Sequence, residues 1–220
     1  MPTKSDLIKL VQSFWSTSSS DLSQAAEEAR RLRDQADWFW NVLVTSFCTM
    51  GGSANWDRKR EKYGAALHWP AVAALSAHER DELFRDLPNP RRRHMAEPGL
   101  KEAFLRIEQA GGPAAIANHY DELTTARERI RFLQSFRGIG AKYSRNIPMD
   151  VFDPLVRNNV ALDARIHGIL DRIEDAPPRQ AYKQREDYLR DVRVEAGLPD
   201  MWFLDRLLYR HSKEIAEQLG

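Results

Sequence analysis

Apolar residues recur at helical spacing along most of this 220-residue chain, and no stretch alternates β-branched with polar residues between hairpin turns. That contrast confines the chain to an all-α fold of about a dozen helices. Leu7, Ile8, Leu10, Val11, Phe14 and Trp15 share one helical face. The run Ser16–Ser20 is expected to break that helix, with Ser20 or Asp21 capping the next. Trp38, Phe39 and Trp40 lead into Val42, Leu43, Val44 and Phe47, a helix expected to be buried on most sides and closed by Gly51-Gly52-Ser53. Ser76 and Glu79 form a capping box. Pro88, Pro90 and Pro98 are expected to hold an irregular stretch around Arg91-Arg92-Arg93. Helix is then expected over Lys101–Gln109 and Asp121–Phe136. Pro177-Pro178 and Gly197-Leu198-Pro199 divide the later helices, the last expected to run from Trp202 to Leu219.

Composition narrows the class further. With 42% hydrophobic and 30% charged residues the chain is long enough to bury a real core. No apolar run approaches the length of a membrane span, and no apolar signal core opens the chain, so a cytoplasmic protein is expected. One cysteine, Cys48, excludes an internal disulfide and any zinc or iron–sulfur site built from several thiolates of this chain. Net charge is only +1, but the charge is clustered. Arg127, Arg129, Arg131, Arg137, Lys142 and Arg145 face a single acid, Glu128, and Arg91-Arg92-Arg93 make a second basic knot. Such runs are either a solvated helix face or a footprint for nucleic acid.

Residues Phe132–Ile147 weight the second reading. Leu133 and Phe136 lead a helix into Gly138-Ile139-Gly140, and a second helix is expected to begin at about Ala141. Two glycines around one aliphatic residue permit a tight turn that a ligand's backbone can approach closely. Ile139 can plug back between the helices, leaving the amides of the turn directed outward as an anion site. A DNA phosphate is the natural anion, and it would be held without regard to sequence.

This arrangement resembles the helix-hairpin-helix motif, here at about residues 125–150, and the wider chain resembles the helix-hairpin-helix DNA glycosylases. In those enzymes the hairpin is followed by apolar residues ending in an essential aspartate at the start of a helix. Val160-Ala161-Leu162-Asp163-Ala164-Arg165-Ile166 fits that pattern. A lysine two residues after the second hairpin glycine marks the bifunctional members, and Lys142 holds that place. Many lysine-bearing members carry a four-cysteine iron–sulfur loop, which this chain cannot build. It is more similar to the cluster-free branch, which includes 8-oxoguanine DNA glycosylase/AP lyases. Twenty-one positions separate Lys142 from Asp163, more than the pattern expects, which points to a small insertion within 149–159.

The resemblance implies two helical lobes with a cleft between them: residues 37–155 carrying the hairpin, and residues 1–36 with 156–220 carrying Asp163. Catalysis would fall to Lys142 and Asp163. Gly138, Ile139, Gly140, Ser144 and Arg145 would hold DNA, and Asn55 would fill the gap left by an extruded base. The carbonyls of Gln134, Phe136 and Ile139 match the positions at which family hairpins bind a monovalent cation, so a structural Na⁺ or K⁺ is implied and no further cofactor is required. The partner would be double-stranded DNA containing a damaged or modified base, bound by a monomer.

The chemistry explains the pair. Cleaving the bond from C1′ to a base creates positive charge at the sugar, which a carboxylate stabilises. A neutral amine can attack C1′ and go on to a Schiff base, and partial burial or a neighbouring cation such as Arg145 favours that neutral form. Three functions fit these residues: a glycosylase with lyase activity, a glycosylase that only releases the base, and a non-catalytic hairpin that clamps phosphate. The bland alternatives are plain. An aspartate before a helix is usually an N-cap, and Asp163 can cap and catalyse together. Cys48, Trp38, Trp40 and Trp202 are expected in the core, and His94, His119 and His167 lack metal-ligand spacing. The base remains open among oxidised guanine, oxidised pyrimidines and enzymatically modified bases such as those of viral DNA.

Overall fold

The helical periodicity is realised throughout. The structure, a computed structural model describing residues 1–220, contains thirteen α-helices, one 3₁₀ turn at Gly64–Leu67 and no strand. The helices are α1 (Lys4–Arg33), α2 (Trp38–Thr49), α3 (Ala54–Tyr63), α4 (Trp69–Ala74), α5 (Ala77–Asp86), α6 (Arg93–Gln109), α7 (Pro113–Glu122), α8 (Ala126–Gln134), α9 (Tyr143–Asp150), α10 (Ala164–Leu170), α11 (Tyr182–Ala196), α12 (Met201–Arg210) and α13 (Ser212–Gln218). No helix is long and apolar enough to cross a membrane.

The chain forms two compact units, residues 31–151 and residues 1–30 with 152–220. The sequence-based boundaries were 37–155 for the first lobe and 1–36 with 156–220 for the second. The unit boundary falls inside α1, because that helix does not stop where expected. The serines do not break it. Ser16, Thr17 and Ser23 hydroxyls donate to the carbonyls of Ser13, Phe14 and Ser19, so they are satisfied on their own helix and do not compete with it. Ser18 lies 2.9 Å from His211 Nε2, and the buried stripe Leu7, Val11, Ser18, Leu22, Ala26 passes straight through the run.

In the unit of residues 31–151, α2 is the centre. Nine of its residues are buried, and it packs on α3, α6, α7 and α9. Phe39 meets Tyr120, Phe132 and Phe136, and Trp40 meets Trp69, Phe84 and Phe104. The Trp40 indole N–H reaches Leu67 O at 2.8 Å, so this ring is fully buried without an orphaned donor. Cys48 lies in the same core, where burial pushes its thiol up to about 12.

Two expectations change here. Pro98 lies inside α6, which begins at Arg93. The expected helix Asp121–Phe136 is two helices, because Leu123 adopts an extended conformation and Thr125 with Glu128 makes a second capping box. Arg129 fills that break. It is 6% exposed, donates to Leu123 O at 3.0 Å and Asp121 O at 3.2 Å, and so belongs to the core and not to a basic surface.

In the other unit, α10 packs on α12 and α13, and α11 on α12. The expected helix Trp202–Leu219 is interrupted at His211, whose ring stacks on Phe14 at 4.3 Å. Trp202 is buried against Phe152 and Phe203.

Candidate functional site

The turn between α8 and α9 is built from its two glycines in different ways. Gly138 has φ +87°, a conformation that side chains rarely adopt, and a Cβ there would sit 3.4 Å from the Phe47 ring. Gly140 has no such φ, and nothing lies within 4 Å of where its Cβ would be. The fold therefore demands glycine at 138 and leaves 140 open. Ile139 between them is 4% exposed and joins the α2 core, a burial worth roughly 2 kcal/mol. Its amide donates to Phe136 O at 3.1 Å, which tightens the turn.

The amides of Gly140, Ala141 and Lys142 have no acceptor in the protein, while the Gly140 carbonyl receives Ser144 N at 3.0 Å. Three consecutive unpartnered donors thus stand at the start of α9, where the helix dipole adds positive potential. The Lys142 amine lies 4.7 Å from the Tyr143 ring centroid and has no carboxylate partner. Gln134, Ser135, Phe136, Arg137, Gly138, Ile139 and Gly140 line a shallow depression with Glu102.

Gly99 of α6 supports the turn from behind, a residue the sequence reading did not single out. A Cβ at Gly99 would fall 2.5 Å from Arg137 O and 2.6 Å from the Phe47 ring. The signal was present as a glycine inside a helix, which costs about 1 kcal/mol relative to alanine unless close approach requires it. The start of α6 also runs beside Gly138, through Met95 O, so the arginine knot Arg91–Arg93 lies near the hairpin. Arg93 Nε is buried without a hydrogen-bond partner.

Two expected DNA contacts are corrected. Ser144 is fully buried; its hydroxyl donates to Ala141 O at 3.2 Å and receives Gln134 Nε2 at 3.3 Å, so it joins the two helices. Asn55 is 9% exposed and its amide donates to Leu87 O at 3.1 Å, tying α3 to the end of α5. The exposed residues of that turn are Gly51, Gly52 and Ser53. Arg145 folds back, donating to Ala141 O at 3.1 Å.

Asp163 sits in the other unit as the N-cap of α10. Its Oδ1 accepts from Arg165 N at 2.9 Å and Ile166 N at 3.0 Å, and its Oδ2 has no partner. One carboxylate oxygen caps the helix and the other is uncommitted within the protein. One turn on, His167 Nδ1 lies 2.8 Å from Arg185 Nη1. A guanidinium only donates, so Nδ1 accepts and the imidazole is neutral with its proton on Nε2. Burial and the cations Arg185 and Arg179 hold His167 below its ordinary range, against Asp171 and Asp163. Arg185 itself is 2% exposed and anchored by Pro177 O at 2.7 Å and Asp171 at 2.6 Å.

The chain shares its all-helical fold with solved 8-oxoguanine DNA glycosylases. Two solved structures carry it. The 8-oxoguanine DNA glycosylase of Thermotoga maritima superposes with a TM-score of 0.70 at 18% identity, over 96% of this chain and 97% of that one. The 8-oxoguanine DNA glycosylase of Methanocaldococcus jannaschii gives 0.71 at 17% identity, over 94% of each. The likeness is one of fold. No protein-family model matches the chain, and no curated protein matches it in sequence.

Proposed function

We propose that this chain is a DNA glycosylase with associated AP lyase activity that removes oxidised guanine from duplex DNA. The observation that carries the reading is the run of three unpartnered amides, Gly140 to Lys142, ending in an amine that no carboxylate neutralises. The amides suit a phosphate oxygen, and the open Gly140 lets a DNA backbone come close. The two structures of the same fold belong to 8-oxoguanine DNA glycosylases, which supports the substrate.

In this reading the damaged nucleotide is first extruded from the duplex. The Lys142 amine gives its lone pair to C1′ as the C1′–N9 bond breaks, and the base leaves with that bonding pair and takes up a proton. Asp163 Oδ2 stabilises the positive charge that develops at the sugar. The C1′–O4′ bond then opens, O4′ is protonated, and the nitrogen loses its proton to give a Schiff base. Loss of a C2′ proton expels the 3′ phosphate, and water finally releases Lys142. The hairpin carbonyls of Gln134, Phe136 and Ile139 are hard oxygen donors in a solvent-open depression, a donor set that suits Na⁺ or K⁺. Such an ion would stiffen the turn, and no step passes through it.

The test is a panel of duplexes carrying 8-oxoguanine, oxidised pyrimidines or modified bases, scored separately for base release and strand nicking. Release and nicking on the 8-oxoguanine duplex are expected. Release without nicking, retained in Lys142→Ala, removes the lyase assignment. Salt-sensitive binding that survives Asp163→Asn, with no base released, leaves only a phosphate clamp.

A further inference from the structure

A buried segment outside any helix or sheet has no ladder to satisfy its amides, and each unsatisfied one costs about 1–3 kcal/mol. Val160, Ala161 and Leu162, which lead directly into Asp163, are such a segment, with exposures of 0%, 4% and 4%. Each amide is met by a different side chain. Val160 N donates to Glu186 Oε1 at 3.3 Å, Ala161 N to Asp205 Oδ1 at 3.0 Å, and Leu162 N to the Tyr182 hydroxyl at 3.2 Å. The Tyr182 hydroxyl donates in turn to Val160 O at 2.9 Å. One oxygen atom therefore bridges residues 160 and 162, immediately before Asp163.

Space alone does not call for this arrangement. A phenylalanine at 182 and apolar residues at 186 and 205 would fill the same volume, and Glu186 and Asp205 are only 2% and 3% exposed. One hydroxyl and two carboxyl groups on three consecutive amides instead fix where each peptide plane points. Beyond the segment, Asp163 Oδ1 is pinned by two amides of α10. The entering backbone and the departing helix together set the direction of Oδ2.

We propose that Tyr182, backed by Asp205 and Glu186, is the positioning residue for the Asp163 carboxylate, acting through the backbone and not on the reacting atoms. The inference rests on Asp163 being the carboxylate that serves base release. Tyr182→Phe removes one oxygen and nothing else. Single-turnover base release is expected to slow roughly 10- to 100-fold, the scale of a small misplacement of a catalytic group. Duplex affinity should stay unchanged. Asp205→Asn keeps an acceptor for Ala161 N and should stay near wild type, whereas Asp205→Ser should slow release as Tyr182→Phe does. In the free protein, a ¹³C titration of the Asp163 carboxyl should move in Tyr182→Phe. A folded Tyr182→Phe with the wild-type rate and an unmoved titration overturns the proposal. If that variant does not fold, the same two readings on Asp205→Ser decide it. A wild-type protein that releases no base overturns the functional reading, and the titration then still decides the positioning.

Discussion

At residues 140–142 three successive amides meet no acceptor in the protein, whereas at residues 160–162 three successive amides each meet a side chain. The same backbone group is left open in one place and sealed in the other. The open amides lie on an exposed turn, where an outside anion can replace water. The sealed ones are buried, where no ligand reaches them, and they lead into a carboxylate with one oxygen unpartnered. Under the proposed function the contrast separates two tasks: holding a strand at the hairpin, and holding still a charge that must face the sugar.

The largest expected effect breaks the sealed side. Asp163→Asn keeps a good N-cap, so thermal unfolding should stay close to wild type. Single-turnover base release should fall by roughly 10²–10³, the usual loss when a stabilising group at a developing charge is removed. Equal loss of stability and rate would reduce Asp163 to a cap.

The hairpin is next. Gly99→Ala forces a Cβ to within 2.5 Å of the Arg137 carbonyl, so denaturant unfolding should show a loss of about 1–3 kcal/mol. A neutral result would mean that α6 and the turn are not in the close contact described. Gly138 and Gly140 sharpen the comparison within one turn. Gly138→Ala should cost about 1–2 kcal/mol of stability, because its φ of +87° strains any side chain. Gly140→Ala should leave stability alone and weaken duplex affinity about tenfold, the scale of one lost charge-assisted hydrogen bond. The opposite pattern would place the phosphate elsewhere.

The smallest effect concerns pH. His167 is held neutral in the folded protein, below its value in the unfolded chain. Below the ordinary histidine value of about 6.5 the unfolded state therefore binds the proton more readily. Its contribution to stability is present above that value and is lost as pH falls through the depressed folded value. His167→Gln should flatten the dependence, and nitrogen NMR should find the ring proton on Nε2. A proton on Nδ1 would contradict the Arg185 contact.

Much of this was legible in the sequence, for local reasons. The α2 core, the Ser76 capping box, the hairpin around Ile139 and an aspartate opening α10 are each written in neighbouring residues. What was not legible depends on partners distant in sequence. The serine run reads as a break, and only the backbone acceptors within α1 and His211, nearly 200 positions away, show why it is not. Arg129 reads as part of a basic face until its guanidinium is seen closing the end of α7. Ser144 and Asn55 are polar residues near the turns expected to meet DNA, but both are spent inside the protein. Nothing local marks Tyr182, Glu186 or Asp205 as supports for a segment 20 to 44 positions earlier.

The central claim is that Lys142 forms a covalent bond to the sugar, and borohydride trapping tests it directly. The wild-type protein, mixed with an 8-oxoguanine duplex and reduced, should yield a stable protein–DNA adduct that maps to Lys142 and is absent from Lys142→Gln. Base release with no adduct, or an adduct that persists in Lys142→Gln, would contradict the account.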